Sequence, residues 1–231
     1  MIATIIIPVY NEKNLIPRLI SEVVAADTPG YEKEIIVVDD GSSDGTAEAL
    51  RPYAEKAQIR VITHERNRGK AAAIKTALRE ARGDILMIQD ADLEYSPLDY
   101  RRLIEPFKEG AVQVVYGSRF LKASWPDRMR PANWFANRLF TLLVNLLYGS
   151  RITDEGTAYK VFRREAVGPV DIACSGFEFC PEVTAKLLKR GIRIVEVPIS
   201  YTARGKKEGK KPTFIDGIKV LWTIVKYRFR E

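Results

Sequence analysis

The sequence predicts an α/β fold built on a mainly parallel, Rossmann-like sheet with flanking helices, and three observations carry the prediction. Short apolar runs recur, Thr4-Ile5-Ile6-Ile7, Ile35-Ile36-Val37-Val38 and Ile85-Leu86-Met87-Ile88 among them, with the length and β-branching of strands covered on both faces. Segments of helical period separate them. Each run also breaks off into residues that carry chemistry: Tyr10-Asn11-Glu12, then Asp39-Asp40-Gly41-Ser42-Ser43-Asp44, then Asp90-Ala91-Asp92-Leu93-Glu94. In open α/β sheets ligands bind at that carboxyl edge of the strands.

Taken in order, Met1 to Val9 reads as a first strand, and a helix follows to about Ala26 with Leu15, Leu19, Ile20 and Val23 on one face. Glu34 to Val38 is a second strand; Ser43 or Asp44 caps the helix after it, which runs to about Lys56. Ile59 to Thr63 is a third strand, and Asn67-Arg68-Gly69-Lys70 leads into an Ala-rich helix over 71–82. The fourth strand, Ile85 to Gln89, is followed by a helix over 97–109 and a fifth strand, Val112 to Tyr116, that ends in Gly117-Ser118-Arg119. A loop rich in Arg and Trp, Lys122 to Arg130, precedes a helix over 133–148. Its polar residues Asn133, Asn137, Thr141 and Asn145 form one stripe, and the rest of its circumference is mostly apolar. Flanked by Arg130, Arg138 and Arg151, this helix suits a membrane interface, a protein core or a dimer contact. A short strand, Ala158 to Phe162, a helix over 178–190 and a last strand, Arg193 to Val197, complete the sheet. Tyr201 to Lys211 is a cationic loop carrying Arg204, Lys206, Lys207, Lys210 and Lys211. Phe214 to Phe229 is a basic amphipathic helix with Ile215, Ile218, Leu221, Trp222 and Val225 on its apolar face.

At 231 residues and 46% hydrophobic, the chain has ample core for one domain over 1–231. Residues 1–100 hold 12 Lys and Arg against 17 Asp and Glu, net −5; residues 101–231 hold 25 against 13, net +12. An acidic front and a basic back point to a cation site in the first half and a polyanionic partner or surface for the second. Cys174 and Cys180 are too few for a disulfide framework, and His64, the lone histidine, reads as an ordinary loop residue. The first strand lacks the basic lead of a signal peptide, and no apolar run reaches the roughly 18–20 residues that span a bilayer.

Two familiar phosphate loops are missing. No G-x-G-x-x-G follows the first strand, and Gly69-Lys70 lacks the upstream glycine of a Walker A loop because position 64 is His. A dehydrogenase and a P-loop NTPase are thereby disfavoured. Asp90, Asp92 and Glu94 offer an alternative. In extended chain, alternate side chains point the same way, so the three carboxylates would converge and hold Mg2+ or Mn2+ against a substrate's phosphates.

Ile-Pro-Val-Tyr-Asn-Glu (7–12), Val-Val-Asp-Asp-Gly-Ser-Ser-Asp-Gly-Thr (37–46), Asn-Arg-Gly-Lys (67–70) and Asp-Ala-Asp (90–92) together resemble the inverting family 2 glycosyltransferases of GT-A fold. The resemblance implies that Pro8, Tyr10, Glu12, Asp39, Asp40, Lys70 and Asp90 bind a nucleotide sugar, and that Asp90, Asp92 and Glu94 carry the metal on its diphosphate. The later motifs, Gly-Ser-Arg (117–119), Thr-Asp-Glu-Gly-Thr-Ala-Tyr-Lys-Val-Phe-Arg-Arg (153–164), Gly-Phe-Glu-Phe (176–179) and Glu-Val-Pro-Ile-Ser-Tyr (196–201), narrow it to the dolichyl- and polyprenyl-phosphate sugar synthases. Such enzymes move a hexose onto a lipid phosphate. The expectation that follows is a cytoplasmic protein, peripheral on the cytosolic face of a membrane, with residues 1–118 for donor and metal, 119–212 for acceptor and 213–231 as the basic helix. Asp92, Arg119 and Arg204 are the expected catalytic residues, and Arg119, Arg130 and Arg204 the expected cations for the acceptor phosphate. A saccharide hydroxyl as acceptor would instead require a base, for which Asp154 or Glu155 is the candidate. A nucleic-acid partner would fit the basic half but leaves all four strand-end motifs without a role, so none is expected.

Overall fold

A computed structural model describes residues 1–122, 125–168, 170–204 and 214–230. Seven strands form one sheet: β1 (Ile2–Val9), β2 (Glu32–Asp39), β3 (Ile59–Thr63), β4 (Ile85–Ile88), β5 (Val114–Ser118), β6 (Lys160–Arg163) and β7 (Ile194–Pro198). Their spatial order is β3-β2-β1-β4-β6-β5-β7, parallel throughout except for β6, which runs antiparallel to both β4 and β5.

Alternation along β1 shows why its run is continuously apolar. Ile5 and Ile7 pack into one layer with Leu19, Ile20 and Val23 of α1 (Ile16–Ala25). Ile6 packs into the other with Ala73, Ile74 and Ala77 of α3 (Lys70–Glu80), the small residues letting that helix lie close to the sheet. The helix α2 (Thr46–Ala54) starts from Gly45, while Asp44 accepts hydrogen bonds from the Thr46 N–H and Oγ1. The helix expected over 97–109 is broken into a 3-10 turn (Pro97–Asp99), α4 (Tyr100–Ile104) and a second 3-10 turn (Glu105–Lys108), because Pro106 has no N–H with which to continue the ladder. A short α6 (Arg164–Val167) and then α7 (Phe179–Lys189) follow β6.

The antiparallel β6 has a functional consequence. Its amino-terminal end lies beside the carboxyl ends of β4 and β5, so the loop before it joins the ligand edge of the sheet.

Two helices sit differently from their sequence pattern. In α5 (Pro131–Tyr148) the polar stripe faces the protein: Arg119 donates to Asn137, the Glu155 N–H donates to Thr141, and Asn145 bonds the backbone of Ile152. Phe135, Leu139, Leu142 and Leu146 are left exposed. In α8 (Phe214–Phe229) the docked residues are Thr223, Ile224 and Tyr227, with Ile224 packed against Val144 of α5 and Tyr227 donating to buried Glu182. Ile215, Ile218, Trp222 and Val225, four of the residues on the expected apolar face, are exposed. Among the described residues no helix is long and apolar enough to cross a membrane. Of the cationic loop, Lys206, Lys207, Lys210 and Lys211 lie outside the described residues.

Candidate active site

Two loops at the carboxyl ends of β1 and β2 interlock. Asn11, at φ 55, donates its N–H to Ser42 Oγ at 2.9 Å and accepts the Ser43 N–H at the same distance. Glu12 donates its N–H to Thr46 Oγ1. Pro8 is buried in β1, and Tyr10 stands at the rim.

The two aspartates at the end of β2 divide their work. Asp40 accepts from His64 Nδ1 at 2.7 Å, from the Arg68 N–H at 3.0 Å and from the Gly69 N–H at 2.7 Å, so both its oxygens are used in holding the loop before α3. Gly69 sits at φ +96 with the Ser175 carbonyl against it, a place where only glycine fits. Asp39 accepts from the Ser42 N–H through Oδ1, whereas its buried Oδ2 has no partner among the described residues. A buried acceptor left bare costs free energy, so Oδ2 is the better placed of the two carboxylates to meet a ligand. The reading of His64 as an ordinary loop residue is corrected: it is 7% exposed and bridges Asp40 and Thr76.

At the end of β4 the chain does not stay extended. Leu93 takes φ 58, so the alternation that would aim Asp90, Asp92 and Glu94 at one point is lost. Lys70 Nζ lies 2.6 Å from Asp90 Oδ1 and 2.8 Å from Oδ2, its hydrogen bond aimed at Oδ2 and Oδ1 left without one. Glu94 turns to a different segment, accepting from Tyr201 Oη and the Arg204 N–H, both at 2.8 Å. Arg204 donates to Glu12 through two nitrogens, at 2.6 and 3.1 Å, and its Nη2 lies 3.7 Å from Asp92 Oδ2. Residues 201–204 thus form a strap from the β4 loop to the β1 loop, anchored also by a bridge from Tyr95 to Tyr201.

On the other side, Arg119 is only 6% exposed and grips Asp154 with Nε and Nη2, each at 2.7 Å, and with its own N–H at 3.0 Å. Arg130 is exposed at the rim, next to Met129, whose carbonyl accepts from the Trp125 indole. Between these walls opens a cleft of about 900 Å3. Lys70, Asp90, Asp92, Glu94, Arg119 and Arg204 line its polar part; Leu139, Phe140, Ile218 and Leu221 of α5 and α8 line its apolar part.

Burial, together with Asp90 and Glu94, pushes the Asp92 carboxyl up to about 7, with Arg204 pulling the other way. Burial works against the charge of Lys70, yet Asp90 beside it leaves the ammonium held above its usual range. Burial likewise raises Glu155 to about 7, opposed by Lys160. The crowding of carboxylates at Asp92 is what a hard divalent cation would relieve, and Asp90 Oδ1, ion-paired to Lys70 but accepting no hydrogen bond, can join it, so these two carboxylates fit one that takes its remaining ligands from water and phosphate. Glu94 is already committed, and among the described residues no group of three or more His, Cys, Asp or Glu side chains is arranged to hold a metal.

Sequence reasoning missed His64, Asp154 as the clamp on Arg119, and Tyr201. Only Tyr201 left a signal, its place just beyond the carboxyl end of the last strand. The other two show their partners only once the chain is folded.

The profile described as glycosyl transferase family 2 matches residues 4–170. The chain belongs to that family. Its relatives include the dolichol-phosphate mannosyltransferase of Pyrococcus furiosus, 29% identical over 236 residues that cover 98% of this chain and 64% of that protein. The undecaprenyl-phosphate 4-deoxy-4-formamido-L-arabinose transferase of Aeromonas hydrophila is 31% identical over 215 residues, covering 90% of this chain and 62% of the relative. The dolichyl-phosphate beta-glucosyltransferase of Trichomonas vaginalis is 29% identical over 246 residues, covering 96% of this chain and 73% of the relative. The chain therefore spans just under two thirds of the first two proteins. Among solved structures, glucosyl-3-phosphoglycerate synthase from Mycobacterium tuberculosis, in complex with Mn2+, UDP-glucose and phosphoglyceric acid, superposes with a TM-score of 0.78 at 19% identity, over 98% of this chain and 79% of that one. That likeness establishes the GT-A fold.

Proposed function

We propose that this family 2 chain transfers a hexose from a nucleotide sugar to a polyprenyl phosphate, inverting the anomeric carbon and depending on Mg2+ or Mn2+. The observation that carries the reading is a cleft whose polar end holds Lys70, Asp90, Asp92 and Arg204 and whose apolar end opens between α5 and α8. An acceptor with one phosphate head and a long hydrocarbon tail has that same division of polarity. The names of the relatives support it, since each names a dolichyl or undecaprenyl phosphate.

In this reading Pro8, Tyr10, Glu12 and Asp39 meet the nucleoside, and Asp40 fixes the loop that presents Lys70. Asp90 and Asp92 would hold the cation, which supplies charge stabilisation to the departing nucleoside diphosphate. The nucleophile is a phosphate monoester oxygen; its second pKa near 6 makes it a dianion at neutral pH, so it needs positioning more than a base. Arg204 and Arg130 supply that positioning, with Arg119 in the same wall holding Asp154. The exposed apolar residues of α5 and α8, flanked by Arg138, Lys219 and Arg228, would lie at a bilayer surface on the cytosolic side, leaving residues 1–118 for the donor and 119–212 for the acceptor.

The test is a transfer assay with a panel of UDP- and GDP-hexoses, Mn2+ or Mg2+, and polyprenyl phosphate in detergent. Labelled lipid that forms with one donor, disappears with EDTA and falls roughly 10²- to 10³-fold in Asp92→Ala is the expected result. Donor binding without any labelled lipid would overturn the acceptor, and no donor binding would overturn the whole reading.

A further inference from the structure

The loop before β6 is tied down at almost every polar group. The Thr153 N–H and Oγ1 and the Asp154 N–H all donate to the Glu196 carboxylate, at 2.7 to 3.0 Å. Asp154 in turn accepts the three donors of Arg119. At Glu155 the backbone is fixed from both sides: its N–H donates to Thr141 of α5 at 3.0 Å, and its carbonyl accepts from the buried Lys160 ammonium at 2.7 Å. Gly156, next in line, lies against Asn137, whose side-chain oxygen a Cβ there would have to displace. Against this background the Glu155 side chain stands apart. It is 1% exposed and lines the cleft, and its buried Oε1 has no hydrogen-bond partner among the described residues.

We propose that the Glu155 carboxylate is a specificity-determining group that accepts a hydrogen bond from a hydroxyl of the sugar being transferred. The inference rests on the function proposed above, because only a nucleotide sugar brings a hydroxyl-rich ring into a cleft already holding Lys70 and Asp90. A carboxylate oxygen that is buried without a partner is costly in the free protein, and a partner hydroxyl removes that cost. Within its own loop the donors of Thr153, Asp154 and the Glu155 N–H are spent elsewhere, and Thr157 Oγ1, also buried without a partner among the described residues, makes no hydrogen bond to it. The burial that raises the carboxyl to about 7 is consistent with a group whose partner arrives with the substrate. A site built around one such acceptor discriminates against a sugar that lacks the matching hydroxyl far more sharply than an apolar wall does.

The experiment is titration calorimetry on the full chain with Mg2+, comparing UDP with UDP-glucose and GDP with GDP-mannose, for wild type, Glu155→Leu and Glu155→Gln. For the donor that wild type prefers, the affinity advantage of the nucleotide sugar over its bare nucleotide is expected to fall roughly 10- to 100-fold in Glu155→Leu. Glu155→Gln keeps one acceptor oxygen and the side-chain volume, so it is expected to fall less, and it decides the matter if the leucine variant does not fold. An advantage unchanged in both variants overturns the inference while leaving the proposed function standing. Wild type that binds neither nucleotide nor nucleotide sugar overturns both.

Discussion

Asp39 and Asp40 are neighbours in sequence and take opposite parts. Asp40 spends both oxygens on His64 and on the N–H groups of Arg68 and Gly69, while Asp39 keeps one oxygen buried and bare. The sequence marked the pair as chemistry-bearing by its place after a strand, and no local signal separates the two, because the donors that decide lie 24 to 29 residues away. His64→Leu removes one donor from Asp40 and the partner of Thr76. A loss of about 2 kcal/mol is expected, read as a drop of roughly 4–8 °C in Tm by calorimetry. A second prediction concerns Glu155. Its folded carboxyl titrates near 7 against an ordinary value of 4.5, so the protonated form is the one the fold favours. The stability it contributes is fully present below pH 4.5 and is lost as the pH rises through 7. Glu155→Gln is therefore expected to match wild type at about pH 4 and to exceed it by about 3 kcal/mol at pH 8 in denaturant titrations. A difference of the same size at both pH values would contradict the assignment.

At the scale of elements, α5 shows where periodicity stops being informative. The stripe Asn133, Asn137, Thr141, Asn145 was legible and so was the helix, but a stripe alone does not tell which side meets the protein. That depends on Arg119, the Glu155 N–H and Ile152, polar groups at the ligand edge that need partners. Once they take the stripe, leucines are turned outward, and α8 does the same with Ile218 and Trp222. Both helices were readable as amphipathic, and their orientation was set by long-range pairing. The prediction is specific. Leu142→Asp with Leu146→Asp, both on the exposed face, is expected to leave Tm within about 2 °C. The same variant is expected to lose most of its cosedimentation with vesicles containing anionic lipid. Retained cosedimentation would remove the membrane role from these helices. The β4 loop carries the same lesson in reverse: extended-chain alternation aimed three carboxylates at one point, and a single residue, Leu93 at φ 58, sends Glu94 to the strap at 201–204 instead.

For the molecule as a whole, the strands and their mainly parallel direction were legible, whereas their spatial order was not. Four βα units predicted the parallel half, and the antiparallel β6 was not foreseen, because a short apolar strand reads the same both ways. Its reversal brings the 153–157 loop to the ligand edge, facing Lys70 and Asp90 across one cleft. The charge asymmetry between the halves then has a physical sense: the acidic front supplies Asp90, Asp92 and Glu94 to the cleft, and the basic back supplies Arg119, Arg130, Arg204 and the cations that flank α5 and α8. The central claim is that this cleft joins a nucleotide sugar to a lipid phosphate. It is tested most directly by offering the full chain one labelled donor with two matched acceptors, a polyprenyl phosphate and the same polyprenol without its phosphate, and counting label in the organic phase. The account predicts label with the phosphate alone. Equal label with the free alcohol, or label found only in a water-soluble saccharide, would contradict it.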